Sequence, residues 1–315
     1  MKNSLFLVES PLQLLCAYEA INYFEVKNYS ILIRLSGSEY NDNQINRLIK
    51  TLEIEPDKIE TILIQTTKRR FRDFCNFLFY MFRYLLVRTS FDFIYIGSYR
   101  SRFFRNILYQ FSPQVKLILI DDGNQTIDVQ KQFSDINFLN LFTMFDLVPF
   151  EKQLIYKNSF TALSNIILNS KPISENLLFI GCGISAAGII SQDEYVELIE
   201  KVSLFYKKKN KVLTYLPHRN EKEQLISSIT SLENVSVKRI DYPIEFLGLY
   251  NEVLYKKASS FYSTALITMR DIYGMDIECF YFDYTDSEYK TEIDAVYDYY
   301  EKEMNVINLI NYTDS

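Results

Sequence analysis

Short runs of β-branched and aromatic residues alternate along this chain with longer stretches whose apolar residues recur at helical spacing. Alternation of that kind predicts βαβ units feeding a parallel sheet. In the first half, residues 5–8, 29–35, 59–65, 91–97 and 115–120 read as strands, and 11–24, 41–52, 71–87 and 102–111 as helices between them. Ser10 ahead of Pro11 is favourable helix-start chemistry: a serine hydroxyl accepts from a first-turn N–H, and proline has no N–H to leave unpaired. From Asn124 to Asn176 the alternation lapses, with Phe- and Leu-rich segments mixed among polar ones and broken by Pro149 and Pro172, so the crossing between two domains is expected there. A second series follows, with strands at 177–181, 212–216, 235–240, 258–262 and 277–282, helices at 193–208, 221–232, 264–273 and 291–302, and a short helix after Pro243. The expected architecture is α/β. Two Rossmann-like domains facing a cleft are expected, an N-terminal one over 1–150 and a C-terminal one over 177–315, joined by the crossing 151–176.

Composition narrows the class. At 315 residues the chain is longer than one hydrophobic core usually grows, which agrees with two domains. Hydrophobic residues at 48% and aromatics at 16% exclude a disordered or collagen-like chain. The formal net charge of -6 argues against whole-surface attraction to nucleic acid, so no nucleic-acid partner is expected. Cations do cluster in one stretch, where Lys68, Arg69, Arg70, Arg72, Arg83, Arg88, Arg100, Arg102 and Arg105 are opposed only by Asp73 and Asp92. That stretch reads either as solvated helix faces or as a seat for an acidic acceptor or an anionic membrane surface. Segment 71–87 is too charged to span a bilayer but has the aromatic, basic character of a helix that lies against one. The apolar run at the N-terminus is short and broken by Glu9 and Pro11, unlike a signal peptide, so a cytoplasmic protein is expected, with peripheral contact at the inner face of the plasma membrane. Cys16, Cys75, Cys182 and Cys279 lie far apart inside apolar segments and read as reduced core residues. With one histidine and no cysteine pair, no metal site is expected.

Candidate chemistry gathers at strand ends. His218, the only histidine, sits in Tyr215-Leu216-Pro217-His218-Arg219-Asn220-Glu221, where an apolar run gives way to a polar helix start. Open α/β sheets present ligand-binding groups at that position, and an imidazole there can hydrogen-bond or protonate a departing phosphate. A lone histidine is more often a surface or satisfied residue, so position alone does not decide its role. Asp121-Asp122-Gly123-Asn124 puts two carboxylates after the strand 115–120, as a general base or as ordinary turn chemistry. The loop from Gly181 and Gly183 to Ser191 and Asp193 offers backbone N–H groups for a phosphate, but its spacing matches neither GxGxxG nor a P-loop. Its glycines would equally suit a loop needing positive φ, with Ser191 capping the next helix. Ser263 and Thr264 open a helix after a strand, as phosphate ligands or as caps, and Glu245 in Pro243-Ile244-Glu245 could accept two ribose hydroxyls or be an exposed helix-start acid. His218, the glycine loop, Glu245 and the hydroxyl pair all follow strands of the second half, so they are expected along one edge of one sheet.

Taken in order, Glu9-Ser10-Pro11-Leu12-Gln13-Leu14, Asp121-Asp122-Gly123, the loop from Gly181 to Asp193, Tyr215-Leu216-Pro217-His218-Arg219, Pro243-Ile244-Glu245 and Ser263-Thr264-Ala265-Leu266 make the chain resemble bacterial sialyltransferases of GT-B fold. The likeness is to glycosyltransferase family 52 and, more distantly, to the capsular polysialyltransferases. His218 is followed by Arg219 where the family commonly shows a His-Pro pair. The resemblance implies inverting transfer of sialic acid from CMP-sialic acid to a hydroxyl of a lipooligosaccharide or capsule glycan, with no metal and no resident cofactor. It implies that His218, with Ser263 and Thr264, serves the CMP phosphate and Glu245 the ribose, while Gly181, Gly183 and Arg219 belong to the donor site. For the base it implies Asp193 or, as rival, Asp122 or its neighbour Asp121. Homodimers occur among such enzymes, and a homodimer is expected here on that ground. Two other readings remain open from the residues: a GT-B transferase using a UDP-hexose or CMP-Kdo, and a non-catalytic binding protein of capsule assembly.

Overall fold

The computed structural model describes residues 2–64, 71–87, 90–111, 114–132, 139–150, 152–167, 171–251, 253–284 and 287–309. The chain divides into two compact units, Met1–Ile166 and Ile167–Ser315. Each is built on a parallel sheet with helices in the crossovers.

In the first unit the strands are β1 (Asn3–Val8), β2 (Asn28–Leu35), β3 (Ile59–Leu63), β4 (Phe93–Ile96), β5 (Lys116–Ile120), β6 (Leu139–Thr143) and β7 (Ile155–Lys157). Their order across the sheet is β3-β2-β1-β4-β5-β6-β7. The central β1 is covered on both faces, and its Leu5, Phe6, Leu7 and Val8 are fully buried, which explains the unbroken apolar run expected of a parallel strand. Helices α1 (Pro11–Tyr23), α2 (Glu39–Thr51), α3 (Phe71–Val87), α4 (Arg102–Leu108) and α5 (Gln125–Gln132) supply the crossovers, and α6 (Thr161–Ile166) follows β7. Ser10 caps α1 by accepting from the Gln13 N–H at 3.3 Å.

The stretch expected to break the alternation continues it instead, since α5, β6, β7 and α6 all fall inside 124–176. Side chains specify this part more than hydrophobic period does. The Asn140 side chain accepts from the Leu154 N–H at 2.9 Å, and Gln153 donates to the Leu139 carbonyl at 2.9 Å, tying β6 to the approach to β7. Glu19 on α1 accepts from the Ala162 and Leu163 N–H groups, at 3.0 and 2.7 Å, and so caps α6 from a distant element.

The second unit carries β8 (Ile173–Ile180), β9 (Leu213–Leu216), β10 (Val235–Val237), β11 (Leu254–Ser260), β12 (Asp276–Tyr281) and β13 (Asn305–Asn308), in the order β10-β9-β8-β11-β12-β13. Its helices are α7 (Gln192–Lys207), α8 (Glu223–Thr230), α9 (Leu247–Tyr250), α10 (Ala265–Tyr273) and α11 (Lys290–Glu303). The edge strand β13 has polar ends, Asn305 and Asn308, and its alternation is too brief to read as a strand from sequence. Of the four cysteines, Cys16, Cys182 and Cys279 are buried, but Cys75 on α3 is exposed and is no core residue. Among the described residues no helix is long and apolar enough to cross a membrane.

Both strand orders run outward from a central strand and then return to its other side. The reversal falls between β1 and β4 in the first unit and between β8 and β11 in the second. At such a reversal the neighbouring crossovers lie on opposite faces, and the crevice left outside the carboxyl ends is where open α/β sheets bind ligands.

Candidate functional site

In the second unit, β8 ends at the reversal and runs into Gly181-Cys182-Gly183. A Cβ on Gly181 would lie 2.7 Å from Glu221 Oε1, 2.8 Å from the His218 nitrogen and 2.8 Å from the Tyr215 hydroxyl. On Gly183 it would lie 3.1 Å from His218 Cε1. Neither glycine has positive φ; in this loop only Gly188 does, at 75°. The requirement at Gly181 and Gly183 is therefore close approach by the β9–α8 turn, a correction to the expectation of left-handed backbone. Ser191 does cap α7, accepting from the Glu194 N–H at 3.1 Å while Glu194 accepts from the Ser191 N–H at 2.7 Å.

His218 is half-buried, and its Nδ1 accepts from the Asn220 N–H at 3.2 Å. That bond assigns the ring proton to Nε2. Burial, followed by the charge of Arg219, pushes the imidazole down to about 4. At neutral pH the ring is uncharged and offers one N–H donor, which suits hydrogen bonding to a phosphate oxygen better than outright proton delivery.

A tyrosine network underlies this turn. Tyr215 donates to Glu221 at 2.8 Å, Tyr195 and Tyr215 hydroxyls are 3.1 Å apart, and the Cys182 N–H donates to Tyr195 at 3.2 Å. Burial pushes the Glu221 carboxyl up to about 7, opposed by its hydrogen bonds from Tyr215, the His218 segment and Tyr195. Beside the network lies a cavity of about 370 Å³ lined by residues including Gly183, Ser185, Gln192, Asn220, Glu221 and Lys222.

On the other side of the reversal, Ser260 at the end of β11 donates to the Ile180 carbonyl at 2.7 Å and clamps the two strands together. Ser263 Oγ accepts from the Ala265 N–H at 3.3 Å, and Thr264 is the N-cap residue of α10. Glu245 lies in the tight turn Ile244–Phe246, buried rather than an exposed helix-start acid, and accepts from Thr268 of α10 at 3.2 Å. Burial raises its pKa, while its own backbone, Thr268 and the Arg219 charge oppose that. The field of Arg219 thus reaches both His218 and Glu245. The His218 backbone and ring stand where a Cβ on Gly181 or Gly183 would go, and Glu245 is tied to the helix that Ser263 and Thr264 open. Asp193 is exposed in the first turn of α7, and among the described residues no hydrogen bond joins it to His218 or Glu245. Nor do three or more His, Cys, Asp or Glu residues gather among the described residues to hold a metal ion.

The two carboxylates after β5 have separate fates. Asp121 is fully buried and accepts from Thr143 Oγ1 at 2.6 Å and the Met144 N–H at 2.7 Å, which bolts β5 to the end of β6. Burial pushes it up to about 7 against those hydrogen bonds. Asp122 is half-buried and accepts from Gln13 Nε2 at 2.6 Å. Gln13 leads to a group with no expected role, Glu9. Its Oε1 accepts from the Glu9 N–H at 2.8 Å, and Glu9 Oε2 accepts from Arg34 Nη2 at 2.7 Å and Ser101 Oγ at 3.1 Å. Burial raises Glu9, Arg34 lowers it, and the neighbouring Asp122 charge raises it again. Glu9 ends β1 as Asp121 ends β5, so the strand-end argument applied to Asp121 would have found it.

No protein-family model matches this sequence, and no curated protein sequence matches it. Solved structures do match. MurG of Acinetobacter baumannii aligns over 98% of this chain and 86% of its own, at 9% identity and a TM-score of 0.50. The UDP-GlcNAc 2-epimerase of Methanocaldococcus jannaschii, in complex with UDP-GlcNAc and UDP, aligns over 95% and 92% at 14% identity and a TM-score of 0.59. Arabidopsis thaliana UGT89C1, complexed with UDP-L-rhamnose, aligns over 98% and 85% at 12% identity and a TM-score of 0.51. The fold is GT-B. In this GT-B chain both Rossmann-like units keep a parallel strand order with one reversal, and in the second unit the glycine loop, His218 and the Ser263-Thr264 helix start follow β8, β9 and β11, the strands at and beside that reversal.

Proposed function

We propose that this protein is an inverting, metal-independent glycosyltransferase that moves sialic acid from CMP-sialic acid to a hydroxyl of a surface glycan. The observation carrying the reading is the neutral His218, with Nε2–H free of the tautomer-setting bond at Nδ1, at the edge where the second sheet reverses. Breaking the bond between sugar and phosphate develops negative charge on the leaving oxygen, and a fixed N–H donor at that oxygen lowers the barrier. Thr264 and Ser263 add the start of α10, whose dipole favours the same charge. Glu245 takes the ribose hydroxyls, and Arg219 contributes positive charge beside the donor. A carboxylate removes the acceptor proton; Asp122 and Asp193 are the family-based candidates for it.

A UDP-sugar donor is the second reading, favoured by the uridine nucleotides bound in two of the GT-B structures described above. Thermal-shift measurements with CMP and UDP separate the two, because a ligand that binds only the folded state raises apparent stability. A rise with CMP alone supports the sialyl donor; a rise with UDP alone overturns it.

The reading includes peripheral contact with an anionic membrane through α3. Leu78, Phe79, Phe82 and Leu86 of that helix are exposed, and they recur at helical spacing around Arg83. An apolar stripe of this kind beside a basic stretch suits the headgroup boundary of a bilayer. Phe79→Glu with Phe82→Glu is expected to abolish co-sedimentation with phosphatidylglycerol vesicles; a wild-type protein that does not sediment with them removes this part of the reading.

A further inference from the structure

The first sheet also has a reversal, between β1 and β4, and Glu9 is the residue that leaves β1 there. Its carboxylate is held rather than dangling. Oε2 accepts from Ser101 Oγ at 3.1 Å and from Arg34 Nη2 at 2.7 Å, and its side chain keeps 16% of its surface exposed, enough for a ligand to touch. Arg34 Nε is buried and has no hydrogen-bond partner among the described residues. A buried donor left unmatched by protein asks for an explanation, and a role in a reacting site is one of the few that account for it. Gln13 occupies both its ends, one on the Glu9 backbone and one on Asp122, so Asp122 is engaged in fixing this corner while Glu9 faces the arginine and serine. Gly97 makes the arrangement possible, because a Cβ there would stand 2.3 Å from Gln13 Oε1.

We propose that Glu9 is the general base of the transfer reaction, acting on an acceptor sugar hydroxyl bound at the first unit's strand reversal beside Arg34. This rests on the glycosyltransferase reading above and supplies its acceptor side. The Glu9 carboxylate takes the proton of the acceptor hydroxyl as that oxygen forms a bond to the donor's anomeric carbon. The bond from that carbon to the phosphate oxygen breaks, and the nucleotide departs with the electron pair. Glu9 then releases the proton to water. Asp122, from after β5, and Arg34, from β2, are the charged groups whose fields act on the Glu9 carboxyl, the first raising and the second lowering its pKa.

The test uses the full-length enzyme, CMP-sialic acid and a panel of galactoside and sialoside acceptors. Glu9→Gln is expected to lower kcat by about 10²-fold or more, with the thermal shift on CMP unchanged and part of the rate returned in Glu9→Asp. The acid limb of the wild-type rate profile is expected above 4.5, the ordinary value for the group. Ser101→Ala removes a hydrogen bond that lowers the Glu9 pKa, so it moves that limb to higher pH. Wild-type kcat in Glu9→Gln overturns the assignment, and so does loss of the CMP shift together with the rate, which would make Glu9 a folding residue. A wild-type enzyme that transfers from neither a CMP- nor a UDP-sugar overturns the glycosyltransferase reading itself.

Discussion

His218 owes its proposed role to one neighbour and to burial, which act on different properties. The Asn220 N–H fixes the tautomer, and burial keeps the ring neutral. His218→Ala is therefore expected to reduce kcat by roughly 10²-fold or more, the usual cost of losing one fixed donor to a developing oxyanion. Steady-state kinetics with CMP-sialic acid checks this. Asp121 makes a prediction about stability instead. Its folded pKa, about 7, lies above the ordinary 3.8, so between those values the folded state binds the extra proton and stability falls as pH rises. Glu221, also pushed up to about 7, adds the same slope. His218 works the other way: its depressed value means the unfolded state binds more protons between about 4 and 6.5, so stability is lost as pH falls through that window. Asp121→Asn can still accept from Met144 and donate to Thr143, and denaturant melts across pH should show that it removes Asp121's share of the loss toward pH 7 while leaving the acid-side loss in place.

Elements were legible wherever hydrophobic period decided them. The helix over 71–87 has the bounds expected from its spacing, and β1, β2, β5, α1 and α7 differ from expectation by no more than two residues at either end. Misreadings fell where other forces set the structure. β6 is pinned to the approach to β7 by Asn140 and Gln153 and to β5 by Asp121, whose partners lie 14 to 23 residues away in sequence. The glycine loop misled differently, because the sequence displays a need for glycine without saying whether backbone angle or space creates it. Space does at Gly181, where a Cβ would meet a backbone nitrogen and a phenol at 2.8 Å. Gly181→Ala is accordingly expected to destabilise the fold by about 1–3 kcal/mol, the range for forced overpacking. An unchanged denaturation midpoint would contradict that explanation.

At the scale of the whole molecule, the alternation of strands and helices was enough to expect two Rossmann-like units, and the GT-B likeness agrees. The candidate site was only partly legible. Strand-end logic placed His218 and the Ser263-Thr264 pair just past β9 and β11, where the structure has them, whereas Glu245 lies well beyond the end of β10 at Val237, in the turn Ile244–Phe246. It did not reveal that Asp121 is a buried strut, or that Glu221 is bound up with Tyr215 and Tyr195, because burial and cross-sheet hydrogen bonds are properties of the fold. Nor does it reach the pairing of Glu9, whose partners Arg34 and Ser101 come from β2 and from the cap of α4. The central claim is that this GT-B chain transfers sialic acid from CMP-sialic acid. Mass spectrometry of the wild-type protein incubated with that donor and a mixed acceptor panel tests it most directly: the account predicts an acceptor heavier by a sialyl residue together with released CMP, and an intact donor with every acceptor would contradict it.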